Sequence, residues 1–354
     1  MKINQCHIEN FTVFDDLDIH FCAGINTIIG ANGTGKSHLL KILYAMSQYP
    51  ITTTNTESVG IATHYATSLL RGMFKPEDGD TSHLLRNKTS GAVADLTIQT
   101  ENQTRSCRLY ANQTYEYGSE PTSVISTPDN KNIFIPPNEV LAVYPGFTAS
   151  YEKRELAFDQ TYYDICKALS AAPLKRQNAI LSKLAARLED LLQGRVVSKG
   201  NRFYVESGII NESQTLEASL IAEGHRKLAT LVHLIHNGSI TEESILFWDE
   251  PEANLNPRLI KHIAMVLREL AVAGVQVFIA THDYLLTSEL SLAAEYGTEP
   301  VVPMRFFTMS RNDNEPVTID SGETLTDLQE NIILDEFIDH YQREQDVIAQ
   351  SMEE

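Results

Sequence analysis

With 354 residues, 42% of them apolar, the chain is long enough for two compact lobes or for one large domain carrying insertions. It holds no run of about 18 apolar residues, and its first ten residues lack the basic start and apolar middle of a secretion signal, so the expectation is a cytoplasmic protein with no membrane attachment. A formal net charge of -19 argues against a general polyphosphate-binding surface, because nucleic-acid affinity depends on many Lys and Arg contacts that release counterions, although a local basic groove formed by two subunits stays open.

Cys6, Cys22, Cys107 and Cys166 are scattered without a CxxC pair, which points to reduced buried thiols instead of a zinc site or a disulfide scaffold. The basic groupings Lys153-Arg154 and Lys175-Arg176 read as solvated helix surface.

From Met1 to Phe21, apolar and polar residues alternate around Ile3, Ile8, Phe11, Phe14, Leu17, Ile19 and Phe21, the pattern of a two-stranded hairpin. Ile25 to Ile29 is then an apolar strand running into Gly30-Ala31-Asn32-Gly33-Thr34-Gly35-Lys36-Ser37, after which Leu39, Leu40, Ile42, Leu43 and Met46 repeat at helical spacing. The loop fits G-x-x-x-x-G-K-[ST]. Its glycines let consecutive backbone N–H groups turn inward around phosphates, Lys36 reaches the terminal phosphates, Ser37 offers a hydroxyl to Mg²⁺, and the following helix aims its positive end at the anion.

Thr52 to Asn87 is polar and carries little pattern, with an exposed turn at Lys75 to Asp80. Ala92 to Tyr117 alternates through Val93, Leu96, Ile98, Cys107, Leu109 and Tyr115 and predicts antiparallel strands flanking the main sheet. A short strand follows between Ile133 and Val143, ended by Pro136-Pro137. Tyr151 to Leu192 predicts two helices broken at Ala172-Pro173, and Arg202 to Val205 with Ile209-Ile210 predicts a hairpin around Gly208. Glu223 to Lys227 precedes a helix predicted over Leu228 to His236.

Ile245 to Trp248 is an apolar run of the kind that a parallel strand covered on both faces requires, and it ends in two carboxylates, Asp249 and Glu250. Opposite a bound phosphate, the first could hold a metal ion through water and the second could polarise a nucleophilic water. A helix from Pro257 to Ala273 leads to a second apolar strand, Val275 to Ala280, which ends in Thr281-His282-Asp283. Neighbouring parallel strands deliver their carboxyl ends to one edge, so His282 is expected beside Asp249 and a phosphate. Strands over Val301 to Ser310 and Pro316 to Asp320 complete the fold. Glu323 to Glu354 predicts an acidic amphipathic helix, either packed on its own domain or docking a basic partner.

In this order the segments resemble the ABC-type ATPases, in particular the SMC/RecF-like and OLD/AbiEii-like group of bacterial defence loci. The resemblance rests on GANGTGKS (Gly30 to Ser37), AEGHRKL (Ala222 to Leu228), LFWDEPEANLNP (Leu246 to Pro257) and VFIATHD (Val277 to Asp283). It implies an α/β fold, a P-loop NTPase of ABC/SMC type with a mixed central sheet, a flanking antiparallel β-subdomain and a helical lobe. The implied layout is an N-terminal ATPase lobe over 1–150, a helical lobe over 151–235, a C-terminal ATPase lobe over 236–320 and an acidic helical tail over 321–354.

The implied ligands are ATP and Mg²⁺. By resemblance, Gly30, Asn32, Gly33, Thr34, Gly35, Lys36, Ser37 and His38 hold the nucleotide, Ser37 and Asp249 serve the metal, Glu250 is the general base, and Lys36 and His282 complete catalysis, His282 as the γ-phosphate switch. Ala222 to Lys227 match the signature segment that reaches the ATP held by another subunit, with Ala222, Glu223 and Gly224 as its nucleotide contacts, and Ala253 to Asn256 match a loop that communicates across the dimer. Ala222 stands where the family places Ser, and Asn138 or Glu139 stands nearest to its intervening Gln. No long coiled coil separates the halves, and no Toprim or HNH nuclease segment follows Val301. The implied assembly is a homodimer or higher homo-oligomer controlling a separately encoded effector in antiphage defence. A RecF-like DNA-repair ATPase and an ATP-locked scaffold with little turnover are the alternatives; a membrane importer subunit fits less well.

Overall fold

The computed structural model describes residues 1–48, 67–110, 131–153, 156–174, 178–207, 215–311 and 315–353. Tyr115, Arg154, Lys175, Arg176 and Gly208 to Ile210, on which part of the sequence reading fell, lie outside them.

Alternation at the N-terminus produces β1 (Ile3–Phe11) and β2 (Phe14–His20), whose apolar residues all point to one buried face. β3 (Ile25–Gly30) is buried at every position, its polar Asn26 and Thr27 included, and feeds α1 (Lys36–Ser47). Within the polar stretch that follows lies α2 (67–74), anchored by Leu69, Leu70 and Met73. Next come β4 (Val93–Thr100), β5 (Thr104–Tyr110), the three-residue β6 (Ile133–Ile135), α3 (Phe147–Lys153), α4 (Gln160–Leu169) and α5 (Ala179–Leu192). The chain continues through β7 (Gly194–Lys199), β8 (Arg202–Ser207), β9 (Thr215–Glu217), α6 (Glu223–His236), β10 (Ile245–Asp249) and α7 (Pro257–Val272). It ends with β11 (Gln276–Thr281), α8 (Tyr284–Glu295), β12 (Met304–Ser310), β13 (Thr318–Gly322) and α9 (Ile332–Glu353).

Strands from both ends of the chain share the central six-stranded sheet, ordered β13-β12-β3-β11-β10-β6. Its pairs are parallel except at the β13 edge, which makes the sheet mixed. A separate four-stranded antiparallel sheet, β2-β1-β4-β5, covers one face together with α1, and the helices cover the other. Side chains alternate between the two cores: Leu246 and Trp248 of β10 enter the helical core, while Ile245 and Phe247 enter the core beneath the antiparallel sheet. This two-sided burial is why β10 and β11 read as unbroken apolar runs.

Local chemistry accounts for the places where the structure departs from expectation. The region over 151–192 holds parts of three helices instead of two, since Asp159 caps α4 by accepting from Thr161 N and so starts a new helix. β8 also pairs antiparallel with β7 ahead of it, the two joined by Gly200-Asn201, where Gly200 takes the φ of +62° that tight hairpin turns favour, while the turn expected around Gly208 lies outside the described residues. The helix expected from Leu228 begins at Glu223. β4 and β5 are antiparallel as expected and flank the central sheet across its face, in the sheet that β1 shares. Two helices, α2 and α8, were not anticipated; α8 starts where Asp283 accepts from Leu286 N. The acidic tail is helical and mostly exposed, touching its own domain through Ile333 and a Phe337–Tyr284 ring contact at 4.5 Å.

Gln276 ties the two sheets together. Fully buried, it donates to the carbonyls of Ile3 and Cys22 at 2.8 Å each and accepts from Ile3 N at 2.8 Å. Gln276→Leu removes all three of these buried hydrogen bonds, Cys22 O keeping only its bond from Asn26 Nδ2, and the expected loss of about 3 kcal/mol in folding stability is measurable by urea denaturation.

Candidate functional site

Parallel register sets the site. Asp249 lies opposite Ala280, and Thr281 lies opposite Ile29, so β10, β11 and β3 end on the same edge of the sheet. There the chain after β3 turns through a loop that only glycine allows at three points. A Cβ on Gly30 would lie 2.6 Å from Met309 O and 2.8 Å from Thr34 Oγ1, while Gly33 and Gly35 take φ of +82° and +97°. Thr34 Oγ1 closes the turn by donating to Ala31 O at 2.9 Å.

Leu39 is the first residue of α1 to donate back to Gly35 O, so the N–H groups of Lys36, Ser37 and His38 form the positive helix end. Lys36 is buried, with Nζ donating to Gly30 O at 2.7 Å and Ala31 O at 3.0 Å. Burial pushes its pKa down, against the pull of the Asp249, Glu250 and Glu252 carboxylates.

Asp249 is 3% exposed, and burial pushes its carboxyl up to about 6 against a hydrogen bond from Ser37. Its Oδ1 is buried with no hydrogen-bond partner. An orphaned carboxylate oxygen beside a serine hydroxyl at the edge of a phosphate-type loop fits a hard cation that also takes phosphate oxygens. Among the described residues there is no cluster of three or more His, Cys, Asp or Glu able to hold a metal alone.

Glu250 takes a left-handed φ of +47°, donates its N–H to Ala280 O at 2.9 Å, and leaves its carboxylate a third exposed. His282 Nδ1 lies 3.4 Å from Glu250 Oε1 and 3.9 Å from Glu252 Oε1. Glu252, to which the sequence reading assigned no chemistry, is buried and accepts from Thr281 Oγ1 at 2.7 Å and from His282 N at 3.3 Å. It joins the end of β10 to the end of β11. The signal was present in the sequence as a second carboxylate two positions after Glu250, but its partner lies 30 residues away.

The remaining candidates are placed differently. Asn32 is exposed on the loop. His38 lays its ring on Phe74 at 5.1 Å, and burial depresses its pKa to about 4, so it is neutral near pH 7. Ala222 is the N-cap of α6 and makes no side-chain cap bond, Glu223 accepts from Asn254 Nδ2 at 2.9 Å, and Gly224 packs where a Cβ would meet Leu255 Cδ2 at 2.6 Å. Among the described residues, no hydrogen bond or ion pair links Ala222, Glu223 or Gly224 to the loop from Gly30 to Ser37. Asn138 donates to Tyr162 OH at 3.2 Å, while Glu139, buried, pairs with Arg226 of α6 at 2.7 Å.

Residues 1–139 match the family described as AAA ATPase domain, and residues 173–288 match that described as AAA domain, putative AbiEii toxin, Type IV TA system. The DNA replication and repair protein RecF of Limosilactobacillus reuteri is 36% identical over 47 residues, which are 13% of each chain. RecF of Porphyromonas gingivalis is 31% identical over 85 residues, covering 24% of this chain and 23% of that one, so the alignments span under a quarter of these relatives. The structure of an SMC head bound to the C-winged helix domain of ScpA superposes with a TM-score of 0.53 at 13% identity, covering 92% of this chain and 98% of that one. The SMC head domain of Thermotoga maritima gives 0.46 at 15% identity, over 90% and 98%. The fold is that of a P-loop NTPase of ABC/SMC type.

The raised pKa of Asp249 has a direct consequence for stability. Its contribution is fully present below the ordinary carboxyl pKa near 4 and is lost as pH rises through about 6, so the ionised carboxylate opposes folding at pH 7.5. Asp249→Asn is expected to stabilise the nucleotide-free chain at pH 7.5 by roughly 2 kcal/mol and to shrink the gain seen on lowering the pH to 5, as read from urea denaturation at both pH values.

Proposed function

We propose that the chain is an SMC/RecF-like ATPase of the AAA group, a nucleotide-dependent switch in which two copies close head to tail over ATP and hydrolyse it, a reading that the family matches and the SMC-head fold support. One observation carries the hydrolytic reading: Lys36, Ser37, Asp249 and Glu250 converge on one sheet edge, with the Oδ1 of Asp249 left orphaned there. A second supports the dimer. The N-terminal end of α6 carries Ala222, Glu223 and Gly224 without engaging the loop of its own chain, so a second copy is needed to bring the two together over the nucleotide.

In this mechanism the loop from Gly30 to Gly35 and the first N–H groups of α1 wrap the phosphates, and Lys36 redirects its ammonium from the loop carbonyls to the terminal phosphoryl oxygens. Ser37 and Asp249 would hold Mg²⁺, which when bound contributes positive charge opposite the phosphoryl oxygens. Glu250, accessible at the edge, orients a water in line with the terminal phosphorus and accepts its proton. His282, held by the bond from its backbone N–H to Glu252, lies beside the Glu250 carboxylate and serves as the sensor of the terminal phosphate. With Ala222 in place of Ser, grip on the partner's nucleotide falls to backbone N–H groups around Gly224.

We infer that the switch controls a separately encoded effector, in antiphage defence and in the cytoplasm. The acidic charge and the exposed acidic α9 support a protein partner, and among the described residues no helix is long and apolar enough to cross a membrane. The RecF matches favour a second reading, a DNA-repair ATPase, which requires ATP-dependent duplex binding despite the net charge.

Glu250→Gln is expected to keep ATP binding, lower turnover by about 100-fold or more, and accumulate an ATP-bound dimer visible by light scattering after gel filtration; turnover at the parental rate would exclude Glu250 as the base. Lys36→Ala is expected to weaken ATP binding by about tenfold or more, because a charge-assisted hydrogen bond contributes roughly 1.5 to 3 kcal/mol. A gel-shift titration of duplex DNA with and without ATP separates the readings: an ATP-dependent shift supports repair, and its absence supports the effector switch.

A further inference from the structure

We propose that Lys227 is a positioning residue for Glu250, linking the base of each chain to the helix by which that same chain grips its partner's nucleotide. The inference rests on the reading of Glu250 as the base. Lys227 sits in the second turn of α6 and is 2% exposed. A lysine is seldom buried this far without a partner, and here Nζ donates to the backbone carbonyl of Glu250 at 3.1 Å. The carboxylates of Glu252, Glu223, Glu250 and Asp249 favour its charged form, against burial.

What Lys227 holds is a strained peptide. A non-glycine residue at φ +47° keeps that conformation only when its surroundings impose it. Three groups do so at Glu250: Ala280 O accepts its N–H at 2.9 Å, Ala253 N donates to its carbonyl at 3.1 Å, and Lys227 donates to the same carbonyl. The first two belong to the sheet edge and its own turn. Lys227 alone comes from α6.

The first turn of α6 is also fitted closely to the segment that follows Glu250. Gly224 has no room for a Cβ beside Leu255, and Glu223 accepts from Asn254 Nδ2. A shift of α6 as Ala222 to Gly224 meet the partner's nucleotide is therefore passed to the Glu250 carbonyl through Lys227, and with it the aim of the carboxylate. Occupancy of one composite site thereby sets the base of the other.

The test uses the full chain carrying Lys227→Met, which keeps the side-chain length and removes the donor, and Lys227→Arg, which retains a cationic donor. Lys227→Met is expected to lower kcat by about tenfold or more, as small misplacement of a base does, while KM for ATP stays within about twofold because ground-state binding is untouched. Amide exchange should accelerate in the peptide spanning Glu250 to Ala253 and remain unchanged over Gly30 to Leu43. Lys227→Arg should recover part of the lost turnover. Parental kcat with unchanged exchange over Glu250 to Ala253 overturns the proposal, as does an equal loss in kcat and in ATP affinity. If the Met variant does not fold, the same measurements on Lys227→Gln decide the matter. Glu250→Gln separates the two levels: if it turns over ATP at the parental rate, the reading of Glu250 itself fails, whereas an inactive Glu250→Gln with a fully active Lys227→Met removes only the role of Lys227.

Discussion

The parallel pairing of β11 with β3 on one side and β10 on the other is the constraint on which the rest of the structure depends. It brings residues from positions near 30, 250 and 282 to one edge, although nothing local connects them. Parallel strands require their connections to pass over the sheet faces, so the pairing puts most of the helices on one face and α1, with the antiparallel sheet, on the other. Burial on both sides keeps these strands in register, since a slip of one residue would exchange the cores that Trp248 and Phe247 occupy.

The electrostatics of the edge follow from that burial. Carboxylates and two lysines meet at this edge: the carboxylates hold Lys36 and Lys227 toward the charged form while desolvation opposes it, and Asp249 is raised chiefly by its burial. A site of this kind is poorly suited to being left alone and well suited to a ligand that brings its own opposing charges. The loop geometry suits a phosphate, because the glycine positions leave no side chain between the backbone N–H groups and an anion.

The connection between α6 and the site is mechanical as well as electrostatic. Arg226 meets the buried Glu139 after β6, Lys227 meets Glu250 after β10, and Gly224 packs on Leu255, so one helix touches the chain beyond two neighbouring strands. A helix anchored at so many buried points moves as a body or not at all, which is the property a switch needs.

Much of this was legible in the residues alone. The loop from Gly30 to Ser37, the strands before Asp249 and His282, and the N-terminal hairpin rest on local rules of glycine spacing, apolar runs and alternation, and they stand in the structure as the sequence predicts. Boundaries set by competing local signals were less legible: β7 joined β8 through Gly200-Asn201, Asp159 began an extra helix, and α2 and α8 lacked a clear apolar stripe. What only the tertiary structure decided were the contacts between distant segments, such as Gln276 with Ile3, Glu252 with Thr281 and His282, and Lys227 with Glu250. Each is a polar side chain whose partner is a backbone group or side chain elsewhere in the fold. Such pairs leave no periodic trace, because their spacing is set by how the sheet is threaded and not by the pitch of any helix or strand.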